Sequence, residues 1–141
     1  MKIHIAASAA ILCILSTPAF AQSSVVVGIP GDVVRYGVSF GVAVNQADHD
    51  AADEVAMAHC RNGPDVTPTV RDLCRPVARF DNRCVAVSLD PRAGTPGFGW
   101  AIADVQDDAD AEALAGCRKT DGDQGEACVI TLRMCDGMAG Q

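Results

Sequence analysis

Seven cysteines stand among 141 residues, and the chemistry they do depends on whether they are thiols, thiolates or bridges. Cys13 lies inside an N-terminal apolar run. The other six are Cys60, Cys74, Cys84, Cys117, Cys128 and Cys135. Zinc is one use for such a set, but no C-x-x-C occurs, and His49 and His59 lack ligand-type spacing to the cysteines. An even number of cysteines in an oxidising compartment reads instead as three disulfides. His59 beside Cys60 would make a thiolate pair if Cys60 were free. Around the cysteines stand two acidic constellations. "DGDQGE", Asp121 to Glu126, resembles the opening of a calcium loop, with Asp121, Asp123 and Glu126 as weak metal candidates. The EF-hand pattern then fails, because Gly125 replaces a third ligand and Leu132 stands where the bidentate Glu belongs. Asp104, Asp108 and Glu112 would share one helical face if a helix began that early; capping and a solvated face are the plainer explanation. "GFGWA", Gly97 to Ala101, sets two glycines beside the only tryptophan. Phe98 and Trp100 are a candidate binding surface, and a packed strand is the plainer alternative. No G-x-S-x-G, P-loop or metalloprotease helix appears.

The N-terminus reads as a secretory address. Lys2 precedes the apolar run Ile5–Leu15, too short to span a bilayer, and "AFA" ends at Ala21 as a small-x-small cleavage site. Residues 1–21 are thus expected to be a signal peptide cut after Ala21, with Cys13 discarded inside it. The mature chain would be periplasmic or secreted, without stable membrane insertion. It keeps 18 acidic residues and, without Lys2, 10 basic ones, a formal charge of −8. Phosphate polymers and anionic membranes are poor partners for such a surface; a second extracytoplasmic protein is the partner expected. About 120 residues suffice for one domain with one core.

The elements that must hold these residues are written twice. "AADEVAMAHC" at Ala51–Cys60 echoes "DADAEALAGC" at Asp108–Cys117, with Ala52, Asp53, Ala56 and Ala58 meeting Ala109, Asp110, Ala113 and Ala115. Ala52, Ala56 and Cys60 are spaced four apart and line one stripe; so do Ala109, Ala113 and Cys117. Helices are predicted near Ala47–Arg61 and Asp107–Arg118, with Asp48 and Asp107 as N-caps. An aromatic-glycine strand precedes each helix, "RYGVSFGVAV" and "GFGWAIADV". A cysteine-led strand follows each, "CRPVARF" and "CVITLRM". One more apolar run stands upstream of each unit, "VVVGI" and "CVAVSL". Pro30-Gly31-Asp32 and Asp90–Gly94 supply turns. The fold class is α+β: two pseudo-repeated ββαβ units forming a mainly antiparallel sheet of five or six strands with two Ala-rich helices.

Six cysteines allow fifteen connectivities. The repeat selects the symmetric one, Cys60–Cys74 and Cys117–Cys128, each closing a loop between helix end and next strand. Cys84–Cys135 is left, a bridge expected to tie the two halves together.

The order of aromatic-glycine strand, Ala-rich helix ending in Cys, Cys-led strand, "CVAV", "GFGWAIA", second helix and "CVITLRMC" resembles the secreted bacterial family called domain of unknown function 4189. The resemblance spans residues 34–135. Before it stand residues 22–33, an N-terminal segment with a first strand; after it, residues 136–141 form a short tail. It implies export and an α+β sheet-and-helix fold, and brings no catalytic residues and no cofactor. The expected function is therefore a disulfide-stabilised, non-enzymatic, protein-binding module, of inhibitor, immunity or envelope-associated type. The alternatives are a small extracytoplasmic hydrolase or redox enzyme and a calcium-binding envelope protein.

Overall fold

The computed structural model describes residues 21–139; the signal sequence expected at 1–21 therefore lies, except for Ala21, outside the described residues. The chain runs β1 (Gln22–Gly28), α1 (Val33–Tyr36), β2 (Ser39–Gln46), α2 (His49–Arg61), α3 (Pro68–Arg71) and β3 (Arg75–Phe80). A second set follows: β4 (Cys84–Leu89), β5 (Phe98–Ala103), α4 (Gln106–Asp121), a 3-10 turn (Gly122–Ala127) and β6 (Val129–Cys135). No helix among the described residues is long and apolar enough to cross a membrane.

The fold is α+β and antiparallel, as the repeat requires, but the six strands among the described residues form two three-stranded sheets, not one. Their orders are β2-β1-β3 and β5-β4-β6, so each unit puts its first strand in the middle and flanks it with its second and third. Side-chain size explains the division. Along β4, Val85 and Val87 point one way and Cys84 and Ala86 the other. Val85 and Val87 join Val25, Val27, Val42 and Phe80 of the first sheet in one cluster, with Trp100, Ile102, Leu132 and Met134 packed against it. The small residues face the helices: Val26 and Ala43 meet Ala52, Ala56 and Cys60, while Ala86, Ala101 and Ala103 meet Ala109 and Ala113. The layers are helix, sheet, sheet, helix, with the large apolar side chains between the sheets. Val25, Val26, Val27, Val85 and Val87, each at most 2% exposed, contribute roughly 1.5–3 kcal/mol apiece.

Each helix lies directly on a strand backbone. A Cβ added at Gly41 would stand 1.8 Å from the Ala56 carbonyl oxygen and 2.6 Å from the Cys60 nitrogen; one added at Gly99 would stand 2.2 Å from the Ala113 oxygen and 2.4 Å from the Cys117 nitrogen. The register confirms the equivalence, since Val26 pairs with Gly41 and Ser88 with Gly99. Helix starts differ. Asp48 caps α2, its carboxylate accepting from the Ala51 N–H at 2.8 Å. Asp107 is not the cap of α4: the helix begins behind Val105, which has no capping side chain, and Asp107 sits in the first turn. At its other end α4 runs past Arg118 to Asp121, because no breaker intervenes before Gly122, at φ 67°. Arg35 and Tyr36, read as strand, form α1, capped by Asp32 accepting from the Arg35 N–H at 3.0 Å.

The bridges are Cys60–Cys74, Cys117–Cys128 and Cys84–Cys135. The first two span 14 and 11 residues, loops worth about 3 kcal/mol each in the chain-entropy model. The third does not join the two halves. Cys84 and Cys135 are directly opposed on β4 and β6 of the same sheet, with Cα atoms 4.0 Å apart. The covalent tie is within the second unit because the first strand of that unit is also its centre. The link between halves falls instead to the next residue, Asp136. Its side chain is fully buried. One oxygen accepts from the Asn45 N–H at 2.9 Å and the other from the Asn82 N–H at 3.1 Å. The Gly137 N–H returns a bond to Asn45 Oδ1 at 2.8 Å. Asn45 and Asn82 both adopt positive φ, 57° and 49°, conformations asparagine tolerates better than most residues. Asp136 and Gly137, in the short tail after β6, are thus bonded to the first half of the chain.

Two substitutions test this packing. Gly99→Ala should cost roughly 3 kcal/mol, because its methyl meets helix backbone that cannot yield; urea denaturation reads it, and an unchanged midpoint refutes the close approach. Asp136→Ala leaves two amides without their acceptor and should cost roughly 2–4 kcal/mol in the same assay.

Candidate functional site

The cysteine and histidine candidates are engaged by the fold. All six described cysteines are bridged, so His59 has no thiolate beside it; its Nδ1 lies 2.9 Å from the Val42 carbonyl oxygen. His49 Nε2 stands 3.6 Å from Asp81. The acidic run does not gather on one face. Asp104 precedes the helix and accepts from Arg83 Nε at 2.9 Å. Trp100 is half-buried against the inter-sheet core, and Phe98 tilts against Phe40 with ring centroids 6.3 Å apart.

The acids at the helix starts meet an arginine on the neighbouring edge strand, twice over. Arg79 of β3 reaches Asp53 at 2.6 Å and Asp50 at 3.1 Å; Arg133 of β6 reaches Asp110 at 2.6 Å and Asp107 at 3.8 Å. The Arg79 guanidinium holds the Asp53 carboxyl below its ordinary value, against the opposing effect of burial. These clamps pin each helix to the far edge of its sheet, and their half-exposed arginines make them modest in energy.

One polar group has no counterpart in the repeat. Asp90 follows β4 and Asp121 ends α4, and the fold buries both carboxyls, leaving side chains 0% and 1% exposed. Arg92 lies over them. Its backbone N–H donates to Asp90 Oδ1 at 2.8 Å, its Nε to Asp90 Oδ1 and Oδ2 at 3.0 and 3.1 Å, and its Nη2 to Asp90 Oδ2. The same Nη2 reaches Asp121 Oδ2 at 3.3 Å. The turn carrying Arg92 is closed by the Asp90 N–H donating to the Gly97 carbonyl at 3.0 Å. Gly97 is needed there: a Cβ would stand 2.8 Å from that of Asp90 and 3.0 Å from that of Asp121. The register aligns Asp90 with Gly28 of the first unit, so the pair belongs to one copy only. Arg92 drives Asp90 far below the usual carboxylate range. Burial pushes Asp121 up, and its neighbour Asp90 adds to the push; Arg92 and the Gly97 amide oppose it.

This cluster walls a cleft of about 420 Å³ whose other side is α1 and the turn before α3, with Tyr36, Asp65, Thr67 and Thr95 facing in. Beside it, sharing Val38 and Leu89, opens an apolar groove of about 360 Å³ floored by Phe40, Val87 and Leu132 and rimmed by Pro64 and Val66. Both lie at the same end of the sandwich. Of the calcium candidates, Asp121 turns to Asp90 and Arg92 and Glu126 is exposed, while the side chain of Asp123 lies outside the described residues. Among the described residues, no group of three or more His, Cys, Asp or Glu is placed to hold a metal ion. In sequence Asp90-Pro91-Arg92 looked like turn material alone. The signal that could have found the cluster is an Asp-x-Arg fork closing a turn that ends at a glycine.

Residues 32–135 match the family model described as Domain of unknown function (DUF4189). No curated protein and no solved structure matches the chain.

Removing Arg92 exposes the cost of the acid pair. Asp90, whose folded value is depressed, contributes stability above its unfolded value of about 3.9, and that contribution disappears as pH falls through the depressed value. Arg92→Ala should lower the melting temperature at neutral pH, where two buried carboxylates lose their cation. Acidification towards pH ~4 should recover part of the loss as one carboxyl takes up a proton. Calorimetry between those limits checks the sign, and a variant that loses further stability on acidification contradicts the assignment.

Proposed function

This chain belongs to the DUF4189 family, and on that premise we propose that it is an exported, non-enzymatic binding domain that docks a second extracytoplasmic protein, as inhibitor, immunity or envelope-associated modules do. The observation that carries the proposal is the apolar groove at one end of the sandwich. Val38, Phe40, Val66, Leu89 and Leu132 line it, and side chains of this kind in a concavity are what a protein partner's anchor residues fill. Two further features support it. The groups from which catalysis is usually built are committed to the fold: bridged cysteines, a histidine against a backbone carbonyl, and two sealed carboxylates under Arg92. The scaffold is also rigid, with a bridge at each helix-to-strand loop, so little ordering cost falls on association. The signal sequence expected at residues 1–21 and the three bridges favour an oxidising compartment. A formal charge of −7 over the full chain favours a neutral or basic partner.

Cross-linking in the native extracytoplasmic fraction tests the proposal. The wild-type protein should give one discrete adduct. Val66→Glu, at the rim of the groove, should abolish it, while Val77→Glu on exposed β3 should leave it intact. Recovery of the wild-type chain alone, or an adduct indifferent to Val66→Glu, refutes docking at the groove. A thiol count under denaturing, non-reducing conditions should find none in the mature chain; a free thiol would reopen nucleophilic chemistry.

A further inference from the structure

Asp90 and Asp121 are two carboxyls buried side by side with one guanidinium between them. Asp121 Oδ1 is fully buried and has no hydrogen-bond partner of good geometry. A carboxylate oxygen in that position costs free energy unless something donates to it or the group carries a proton itself. The charged groups facing the pair are few. Among the described residues, Arg92, from the turn after β4, is the cation in contact with both acids. Arg118 and Lys119, on the last turn of α4, are exposed. Across the cleft, α1 presents Arg35 and Tyr36, and the turn before α3 presents Asp65. Arg92 makes four bonds to Asp90 and one, at 3.3 Å, to Asp121, so the second carboxyl is left under-neutralised.

We propose that the Asp90–Asp121 pair is a proton-operated latch: one proton held on the buried Asp121 carboxyl keeps the 90–97 turn closed on the end of α4, and its loss frees that turn and widens the cleft it walls. Two observations make the turn the element that moves. It touches α4 through this pair, with Gly97 wedged between the two side chains. Its own closure is one backbone bond, from the Asp90 N–H to Gly97, with Thr95 Oγ1 bonding back to the Arg92 carbonyl at 2.9 Å. The strand beyond it is held separately, because Thr120 Oγ1 both accepts from the Phe98 N–H at 2.9 Å and donates to the Phe98 carbonyl at 2.7 Å. Opening therefore stops at Phe98 and leaves β5 in the sheet. The sign follows from the direction in which burial and Asp90 shift Asp121, which is upward. A group raised in the folded state adds stability that is complete below its unfolded value and disappears as pH rises through its folded value. The latch is closed in acid and opens towards alkali, opposite to the depressed Asp90 and Asp53. It does not depend on the identity of any partner.

Carboxyl-carbon NMR on aspartate-labelled protein, with amide spectra of residues 91–97, tests the latch. Asp121 should titrate with a midpoint above the ordinary carboxylate range. The amides of Ala93, Gly94 and Gly97 should shift with that same midpoint, and the melting temperature should fall across the same window. Asp121→Asn, which keeps a neutral donor in place, should abolish the amide step and flatten the melting profile; Asp108→Asn, on the exposed face of α4, should change neither. A midpoint in or below the ordinary range, or loop amides that ignore the Asp121 titration, overturns the proposal. If Asp121→Asn does not fold, the wild-type titration alone decides between these outcomes.

Discussion

The close approach of a helix to a strand backbone governs the rest of the structure. At Gly41 and Gly99 the strand has no side chain, and the facing helix presents alanine and cysteine, so helix and sheet backbones nearly touch. Several features follow from that distance. Each helix-end cysteine comes within bridging reach of the next strand's start, with Cα atoms 6.1 Å apart in both units. Asp53 and Asp110, near the helix starts, come within reach of Arg79 and Arg133 on the edge strands. With so thin a helix layer, bulky apolar side chains have to go to the other face of each sheet, and the two sheets bury those faces against one another. A methyl group at either glycine would push all of these contacts apart together.

Repetition then accounts for most of the molecule, and its failures mark where the copies specialise. The helix stripe, the glycine, the bridge and the arginine clamp occur twice. The cross-strand bridge Cys84–Cys135, the buried carboxylate of Asp136 and the acid pair of Asp90 and Asp121 occur once, all in the second unit or just after it. Asp136 reaches back to Asn45, at the end of the first unit's edge strand. A polar lock of this kind fixes how two apolar sheet faces sit on one another, since valine packing alone is non-directional.

The single-copy features also concentrate the polar chemistry. The Asp90–Arg92–Asp121 group lies at the end of the sandwich where the cleft and the apolar groove open side by side. Fully sealed carboxyls of raised and lowered affinity for protons are poor reagents for a substrate but effective as internal constraints. The pieces of this group were brought together by folding, not by proximity in sequence.

What the sequence determined by itself was everything carried by period and repetition. Ala52, Ala56 and Cys60 against Ala109, Ala113 and Cys117 announced two helices and their buried stripes. The matched cysteines fixed two bridges and left the third by elimination. Asp48 declared its own cap. These features are local, or duplicated, so one chain reading suffices. The tertiary structure decided whatever depends on long-range faces. Strand alternation in "CVAVSL" cannot say whether Val85 and Val87 meet a helix or another sheet, and the answer turned one expected sheet into two. Trp100 looked available for binding beside its glycines, yet strand parity sent it to the inter-sheet core. Cys84–Cys135 looked like a tie between halves until register placed both residues on neighbouring strands. Asp90 and Asp136 carried no signal as single acids in a chain with 18 of them, and Asp121 was legible only as a calcium candidate; burial singled them out, and burial is a property of the packed chain.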